Sequence, residues 1–176
     1  MKKGIIIAIC LLVALGVIAK DDEPKIVMPR NAEGKVQYQE VAEIPGVTAA
    51  TLFSRAKNWC TNAFVSVKDT LQNEDAGAGR LTYKGNFDIP GPMGVSQAYW
   101  FTLTIEVKDG KARITLVDFE MRPPNGAVYP IESDKTLKDD GTPRWGCAKL
   151  LVNLDEKAKR MISDIKAALA KEEEKW

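Results

Sequence analysis

The stretch from Phe101 to Glu120, FTLTIEVKDGKARITLVDFE, constrains the fold more than any other part of the sequence. Two runs of alternating apolar and polar residues flank Asp109-Gly110, a dipeptide that favours a two-residue type I′ hairpin turn with positive φ at both positions. That turn sets Lys108 opposite Lys111. The next pairs are Val107 with Ala112, Glu106 with Arg113, Ile105 with Ile114, Thr104 with Thr115 and Leu103 with Leu116. Because a slip of one residue would expose the apolar set, we expect this register and a sheet with one buried face.

The first residues are typical of an export signal. Lys2 and Lys3 precede an apolar run from Gly4 to Ile18, and Ala19 supplies a small residue at the cleavage position. The run is shorter than the ~20 residues that span a bilayer, which favours removal over an uncleaved anchor. We expect residues 1–19 to be a signal peptide cleaved after Ala19, so that the mature protein is exported to the periplasm or another extracytoplasmic space and has no stable membrane span.

The composition excludes several classes of protein. Removing the signal takes away two lysines and no acidic residue, which leaves 23 basic and 24 acidic side chains. This balance offers no positive charge excess to attract nucleic acid. The chain has no histidine, which excludes Ser-His-Asp and Cys-His catalysis, the usual zinc sites and imidazole-bound haem. We therefore expect no cofactor and no metal.

The remaining pattern predicts strands and one helix before the hairpin. Residues 20–34 lack periodicity and are interpreted as a lead-in or tether, and a strand with a bulge follows from Lys35 to Ile44. Thr48 is then the expected N-cap of a helix. The apolar stripe of this helix comprises Ala49, Leu52, Phe53, Ala56, Trp59, Cys60, Ala63 and Phe64. Further strands are predicted from Val65 to Leu71, Leu81 to Ile89 and Val95 to Val107, with residues 73–79 as a turn.

The C-terminal part divides into an irregular segment and a helix. Prolines and glycines punctuate residues 122–150, and so long a non-repetitive stretch is either functional or partly disordered. Asn153 and Glu156 resemble a capping box, and residues 151–176 are predicted to be helical. Residues 35–121 are the body of the domain. The predicted fold is α+β: a five-stranded antiparallel sheet with two helices on one face, in the order β-α-β-β-β-β-α.

The far end of the hairpin is a candidate binding surface. Counting from the turn places Trp100 opposite Phe119 on the face away from the core, with Val117 and Met121 on the same strand and face. An apolar patch of this kind must be covered. Either residues 122–150 fold over it, or Trp100 and Phe119 are aromatic anchors of a ligand or partner site. The first alternative would use Val128, Tyr129, Ile131 and Trp145.

Two cysteines remain after removal of the signal, Cys60 and Cys147. In an oxidising compartment they could form a disulfide. Free cysteines otherwise behave as small buried hydrophobes. The sequence leaves both alternatives open.

Three segments, LFSRAKNW, RLTYKGNFDI and FTLTIEVKDGKARITL, resemble a family of exported bacterial domains of unknown function with a TATA-binding-protein-like fold. The resemblance covers roughly Val36 to Met121. It rests on Arg55-Ala56 and Trp59, on Tyr83-Lys84-Gly85 and on the turn Lys108-Asp109-Gly110-Lys111. It implies a fold and no chemistry, and DNA binding does not follow from a shared fold.

Two functions stay open. The preferred one is a non-catalytic binding or interaction module in the cell envelope, for a partner protein, a glycan or a small ligand. The alternative is a histidine-free hydrolase that uses carboxylates, with Asp118 and Glu120 or the Arg113 region as candidates. Such an enzyme would need a deep pocket and a raised carboxyl pKa. No catalytic motif supports it.

Overall fold

The computed structural model describes residues 25–64, 70–90, 96–122 and 127–171. The predicted signal peptide lies outside the described residues, and so do the beginning of the lead-in and most of the strand predicted from Val65. Within the described ranges, no helix is long and apolar enough to cross a membrane.

The described strands form one antiparallel sheet, and two long helices accompany it. In chain order the elements are β1 (Tyr38–Glu43), α1 (Ala49–Ala63), β2 (Leu71–Asp75), β3 (Arg80–Pro90), β4 (Ser96–Lys108), β5 (Lys111–Met121), β6 (Tyr129–Pro130) and α2 (Ala148–Ala170). The sheet order is β1-β5-β4-β3-β2, and β6 pairs with the end of β5. The predicted α+β fold is confirmed, with the short β6 as an additional strand.

The core lies between one face of the sheet, which we call the inner face, and both helices. Strand alternation buries every second residue of β3, β4 and β5, including Leu103, Ile105, Ile114 and Leu116, each 0% exposed. Helix α1 buries Leu52, Ala56 and Cys60 against them, while Phe53, Trp59 and Phe64 are partly buried at the margin. The stripe of α2 also faces this core, through Ala148, Leu151, Leu154, Ala158, Ile162, Ile165 and Leu169. The predicted core is confirmed.

The hairpin has the predicted register, from Lys108 opposite Lys111 to Leu103 opposite Leu116. The predicted type I′ turn is wrong, because only Gly110 has a positive φ, of 74°. A negative φ followed by a positive one is the pattern of a type II turn. In this conformation the Asp109 carboxylate accepts a hydrogen bond from the Ala49 backbone N–H (2.7 Å) at the first turn of α1. The turn is therefore shaped by a tertiary contact that local sequence does not reveal.

One predicted bulge and two predicted element boundaries are wrong. β1 pairs with β5 without a bulge, and Val41 is 52% exposed on the opposite face from the core. Asn73 belongs to β2, so the turn before β3 is shorter than predicted. Helix α2 begins at Ala148, and Asn153 lies inside it. Burial of Ala148 and Leu151 accounts for the earlier start, since packing decides helix ends that capping residues only suggest.

The lead-in and the irregular segment belong partly to the fold. Met28 is 2% exposed, and its N–H donates to the Gly141 carbonyl (3.1 Å). Val36 is fully buried, and its N–H donates to Glu132 Oε1 (2.6 Å). The interpretation of residues 20–34 as a tether is wrong for the part around Met28, because that part is tied to the segment after β6.

Candidate functional site

The candidate site is the face of the sheet opposite the helices, which we call the outer face. Its side chains alternate with the buried ones along each strand and stay partly or fully exposed. In the described chain no helix packs on it. A row of short polar side chains crosses the middle of the five strands: Gln39, Thr115, Thr104, Thr82 and Asn73. Two groups of charged residues lie on either side of this row.

A β-bulge changes the predicted pairing at the far end of the hairpin. Thr102 pairs with Val117, but Trp100 pairs with Glu120, so that Asp118 and Phe119 together oppose one residue of β4. Asp118 is the extra residue and has a φ of 55°. The expectation that Trp100 lies opposite Phe119 is therefore wrong.

The bulge moves Phe119 into the core. Phe119 is 1% exposed, and its ring lies 5.8 Å from Tyr38 and 6.0 Å from Phe101. Met121 pairs with Tyr99, which is an inner-face residue, and it packs partly buried against the core. Of the four residues predicted to share one surface, Trp100 and Val117 remain on the outer face.

Charged residues surround Trp100 in place of the expected apolar neighbours. The Arg122 guanidinium lies over the indole ring, 5.2 Å from its centroid. Glu120, directly opposite Trp100, forms ion pairs with Arg122 and with Lys84 (2.8 Å). Burial alone would raise the pKa of Glu120, but hydrogen bonds and charges from Lys84 and Arg122 outweigh it and hold the pKa below its usual range. We call Trp100, Lys84, Glu120 and Arg122 the aromatic end of the outer face.

A second charged group lies at the hairpin end of the outer face. Glu106 accepts from Arg80 through one oxygen (2.6 Å) and from Arg113 through the other (2.6 Å). The hydrogen bonds from Arg80 lower the pKa of Glu106, burial opposes this effect, and Arg113 adds to it, so that the pKa lies below its ordinary value near 4.5. Cross-strand pairing of Glu106 with Arg113 is confirmed. The hairpin turn does not predict the participation of Arg80, because the pairing of β3 with β4 sets Arg80 opposite Glu106.

The described part of the irregular segment extends the sheet. β6 pairs with Glu120 and Met121, and Ile131, which follows it, is 2% exposed in the core. Trp145 is 92% exposed and Val128 50% exposed. The alternative in which the segment covers the patch is therefore contradicted for Val128 and Trp145, while Ile131 packs into the core.

The two cysteines are not joined by a disulfide. Cys60 is buried against the sheet, and burial raises the pKa of its thiol to about 12, so it behaves as a small hydrophobe. The Cys147 thiol precedes α2 and lies 3.8 Å from the Lys135 carbonyl oxygen. The disulfide alternative is contradicted.

The carboxylates considered for catalysis are engaged in ion pairs. Asp118 pairs with Lys35 and Glu120 with two cations. A general acid needs a raised pKa, and that of Glu120 is lowered. Among the described residues, no three Cys, Asp or Glu side chains are grouped to hold a metal ion. The arrangement of the outer face is suited to binding through an aromatic ring, hydroxyls and fixed charges.

Comparison with known proteins supports the fold assignment. Residues 38–122 match the sequence model of a family described as "Domain of unknown function (DUF4468) with TBP-like fold". Among solved structures, a TBP-like protein from Parabacteroides distasonis has a TM-score of 0.70 at 16% identity, over 83% of this chain and 99% of that one. A DUF4468 family protein from Bacteroides ovatus has a TM-score of 0.65 at 18% identity, over 85% of this chain and 94% of that one. No curated protein matches the chain.

Proposed function

Since residues 38–122 match the model of a family described as a domain of unknown function with a TBP-like fold, we propose a function from the outer face itself. The chain is proposed to be an exported, non-catalytic interaction module of the cell envelope that binds another protein through this face. The observation that carries the proposal is an outer face that bears Trp100 and three arginines and on which no helix of the described residues packs, while α1 and α2 pack on the inner face. The arginines are Arg80, Arg113 and Arg122.

The size of the outer face fits a protein partner. The 11 residues of β3 measure ~36 Å at ~3.3 Å each, and neighbouring strands lie ~4.8 Å apart. With the shorter β1 and β2 included, the five strands present roughly 700 Å². A protein–protein interface buries about 800 Å² on each partner.

The chemistry of the face fits the same class of ligand. Trp and Arg are the residue types most enriched among interface positions that dominate binding energy. Most of the remaining outer-face residues are hydroxyls, amides and ion pairs, with Val41 and Val117 as apolar exceptions. This composition suits a partner that binds reversibly better than a permanent apolar interface. A glycan is less well supported, because stacking on a sugar needs an open indole ring and Arg122 already lies over Trp100.

Site-specific photo-crosslinking tests the partner. A photo-reactive amino acid replaces Thr104 at the centre of the outer face in the native host, and the control carries it at the exposed Lys157 of α2. We expect a discrete protein adduct from position 104 that disappears in the Trp100→Ser background and is absent from position 157. Equal adducts from both positions, or an adduct indifferent to Trp100→Ser, would contradict a site on this face.

Intact-mass analysis of the protein from its native host tests export. Because Ala19 ends the apolar run, the mature chain is expected to begin at Lys20. A chain that retains residues 1–19 would overturn the exported part of the proposal and leave the interaction surface untouched.

A further inference from the structure

The hairpin end of the outer face contains a cavity of ≈ 500 Å³ with an excess of positive charge. Four cations and two carboxylates line it, so the ionised side chains leave an excess of two positive charges. They are Arg80, Lys108, Lys111 and Arg113 with Glu43 and Glu106. Val41, which is 52% exposed, adds an apolar wall.

Glu106 fixes the two arginines of this cavity. Arg80 donates from Nε (3.2 Å) and a terminal nitrogen (2.6 Å) to one carboxylate oxygen, and Arg113 donates from Nε (2.8 Å) to the other. Each guanidinium has five N–H donors, so donors remain on both after these bonds are made. Their side chains are 51% and 50% exposed. The cavity therefore presents two guanidinium groups, on the two strands that flank β4, both held by Glu106 and with donors available to a second anion.

Two lysines add mobile charge beside this fixed pair. Lys108 and Lys111 face each other at the end of the hairpin, two residues closer to the turn than the pair Glu106 and Arg113 and on the same face of the sheet. Lysine supplies a flexible point charge, whereas arginine supplies a planar fork that matches phosphate oxygens. Two planar guanidinium groups with two flexible ammonium groups beside them are suited to binding a phosphate group.

We propose that this cavity binds the phosphate group of a small ligand. A phosphate monoester carries close to two negative charges at neutral pH, which matches the excess positive charge of the lining. The volume falls within the range of small-molecule sites and exceeds what phosphate alone fills, so the rest of the ligand lies along Val41. This site is separate from the aromatic end, since Trp100 lies eight residues, or ~27 Å, along β4 from Lys108.

The probes are glucose 1-phosphate, inorganic phosphate and unphosphorylated glucose, titrated into the full mature chain and followed by amide chemical shifts. We expect saturable shifts around Arg80, Arg113 and Val41 with both phosphates and none with glucose. Arg113→Gln and the double variant Lys108→Gln/Lys111→Gln should each weaken binding by at least about tenfold. Lys84→Gln is the matched control, because it removes one ion-paired cation from the same face outside the cavity, and it should stay within about twofold.

Three results would overturn the proposal. They are the absence of saturable shifts up to about 10 mM phosphate together with no binding to phosphatidic acid vesicles, an equal loss of affinity in Lys84→Gln, and equal binding of glucose. Melting curves check the fold of each variant. If Arg113→Gln unfolds, the lysine double variant at the exposed hairpin tip carries the test. Trp100→Ser should leave phosphate binding unchanged, so this proposal and the protein-partner proposal fail independently.

A vesicle-binding experiment distinguishes a phosphate on a lipid headgroup from a phosphate on a soluble ligand. Phosphatidylcholine vesicles with and without phosphatidic acid are sedimented with the wild-type chain and with Arg113→Gln. Binding that requires both phosphatidic acid and Arg113 indicates a lipid headgroup, while binding of glucose 1-phosphate without vesicle binding indicates a soluble ligand. If neither source binds, the proposal is wrong.

Discussion

At the scale of single residues, Gly85 is required by close packing rather than by its backbone conformation. A Cβ at this position would lie 2.6 Å from Phe64 Cε1 and 2.8 Å from Phe101 Cζ. Phe101 is 0% exposed, and the partly buried Phe64 stacks on Tyr83 at 5.4 Å, so the rings could make room only by disturbing these contacts. We expect Gly85→Ala to lower the free energy of unfolding by ~1–3 kcal/mol, measured by chemical denaturation.

The matched control for this substitution is Gly77→Ala in the turn before β3. A Cβ there would meet only Asp75 Oδ1 at 3.4 Å, an ordinary contact. A change below about 0.5 kcal/mol is expected. Gly→Ala by itself lowers the entropy of the unfolded chain and tends to stabilise. An equal loss of stability in both variants would therefore contradict a packing effect specific to Gly85.

Glu106 is expected to make stability depend on pH. Its pKa is lowered in the folded protein by hydrogen bonds from Arg80, against the effect of burial and with the help of Arg113. A lowered pKa means that ionised Glu106 stabilises the fold above its unfolded pKa, and that this contribution is lost as the pH falls through the folded pKa. Glu106→Gln should therefore flatten the decrease in stability below about pH 4.5.

Unfolding curves between neutral pH and about pH 2 measure this effect, with Glu156→Gln on the exposed side of α2 as the control for removal of one carboxylate. Because Glu106 is partly solvent-exposed, the difference should be modest and should decrease with added salt. If the free energy of unfolding fell equally at low pH in Glu106→Gln and in the wild type, a stabilising role for the ion pairs of Glu106 with Arg80 and Arg113 would be contradicted.

At the scale of elements, alternation and helical spacing predict the parts of the fold that face one core. The hairpin register follows from sequence because every inward residue from Leu103 to Val107 is apolar and the turn fixes the count. The turn register alone does not predict the bulge, although the sequence carries a signal for it: strict alternation after Leu116 would place Asp118 and Glu120 on the core face and Phe119 outside. The consequence of the bulge is the largest error at the candidate site, because all residues after it change face.

The conformation of Asp118 can be tested by a pair of substitutions. Asp118 has a φ of 55°, a region that glycine adopts freely and a β-branched residue adopts at a cost of ~1–3 kcal/mol. Both substitutions remove the exposed ion pair with Lys35, which contributes little. Asp118→Val should therefore be less stable than Asp118→Gly by ~1–3 kcal/mol in chemical denaturation. Equal stabilities would indicate that the bulge is lost or moved in the valine variant.

At the scale of the whole molecule, contacts between distant segments decide what belongs to the domain. Arg55 of α1 donates to the Leu169 carbonyl (2.7 Å) at the end of α2, and Tyr38 of β1 donates to Asp155 (2.9 Å) on the same helix. These contacts join the C-terminal helix to the first elements of the chain. Sequence periodicity predicts each helix separately and says nothing about such pairs, because they join residues 114 and 117 positions apart.

The folded domain also begins upstream of residue 38, where the family match starts, because residues before it are buried in the core. Met28 is buried beside Tyr38, and its side chain would leave a cavity if it were truncated. We expect Met28→Ala to lower the free energy of unfolding by ~2–5 kcal/mol, whereas Val27→Ala, at a position 64% exposed, should change it by less than about 0.5 kcal/mol. A mature chain shortened to begin at Lys35 should lose at least as much as Met28→Ala, because it also loses the Met28 hydrogen bond to Gly141. If the shortened chain melted at the wild-type temperature, residues 28–34 would be an appendage, and the domain would begin at β1.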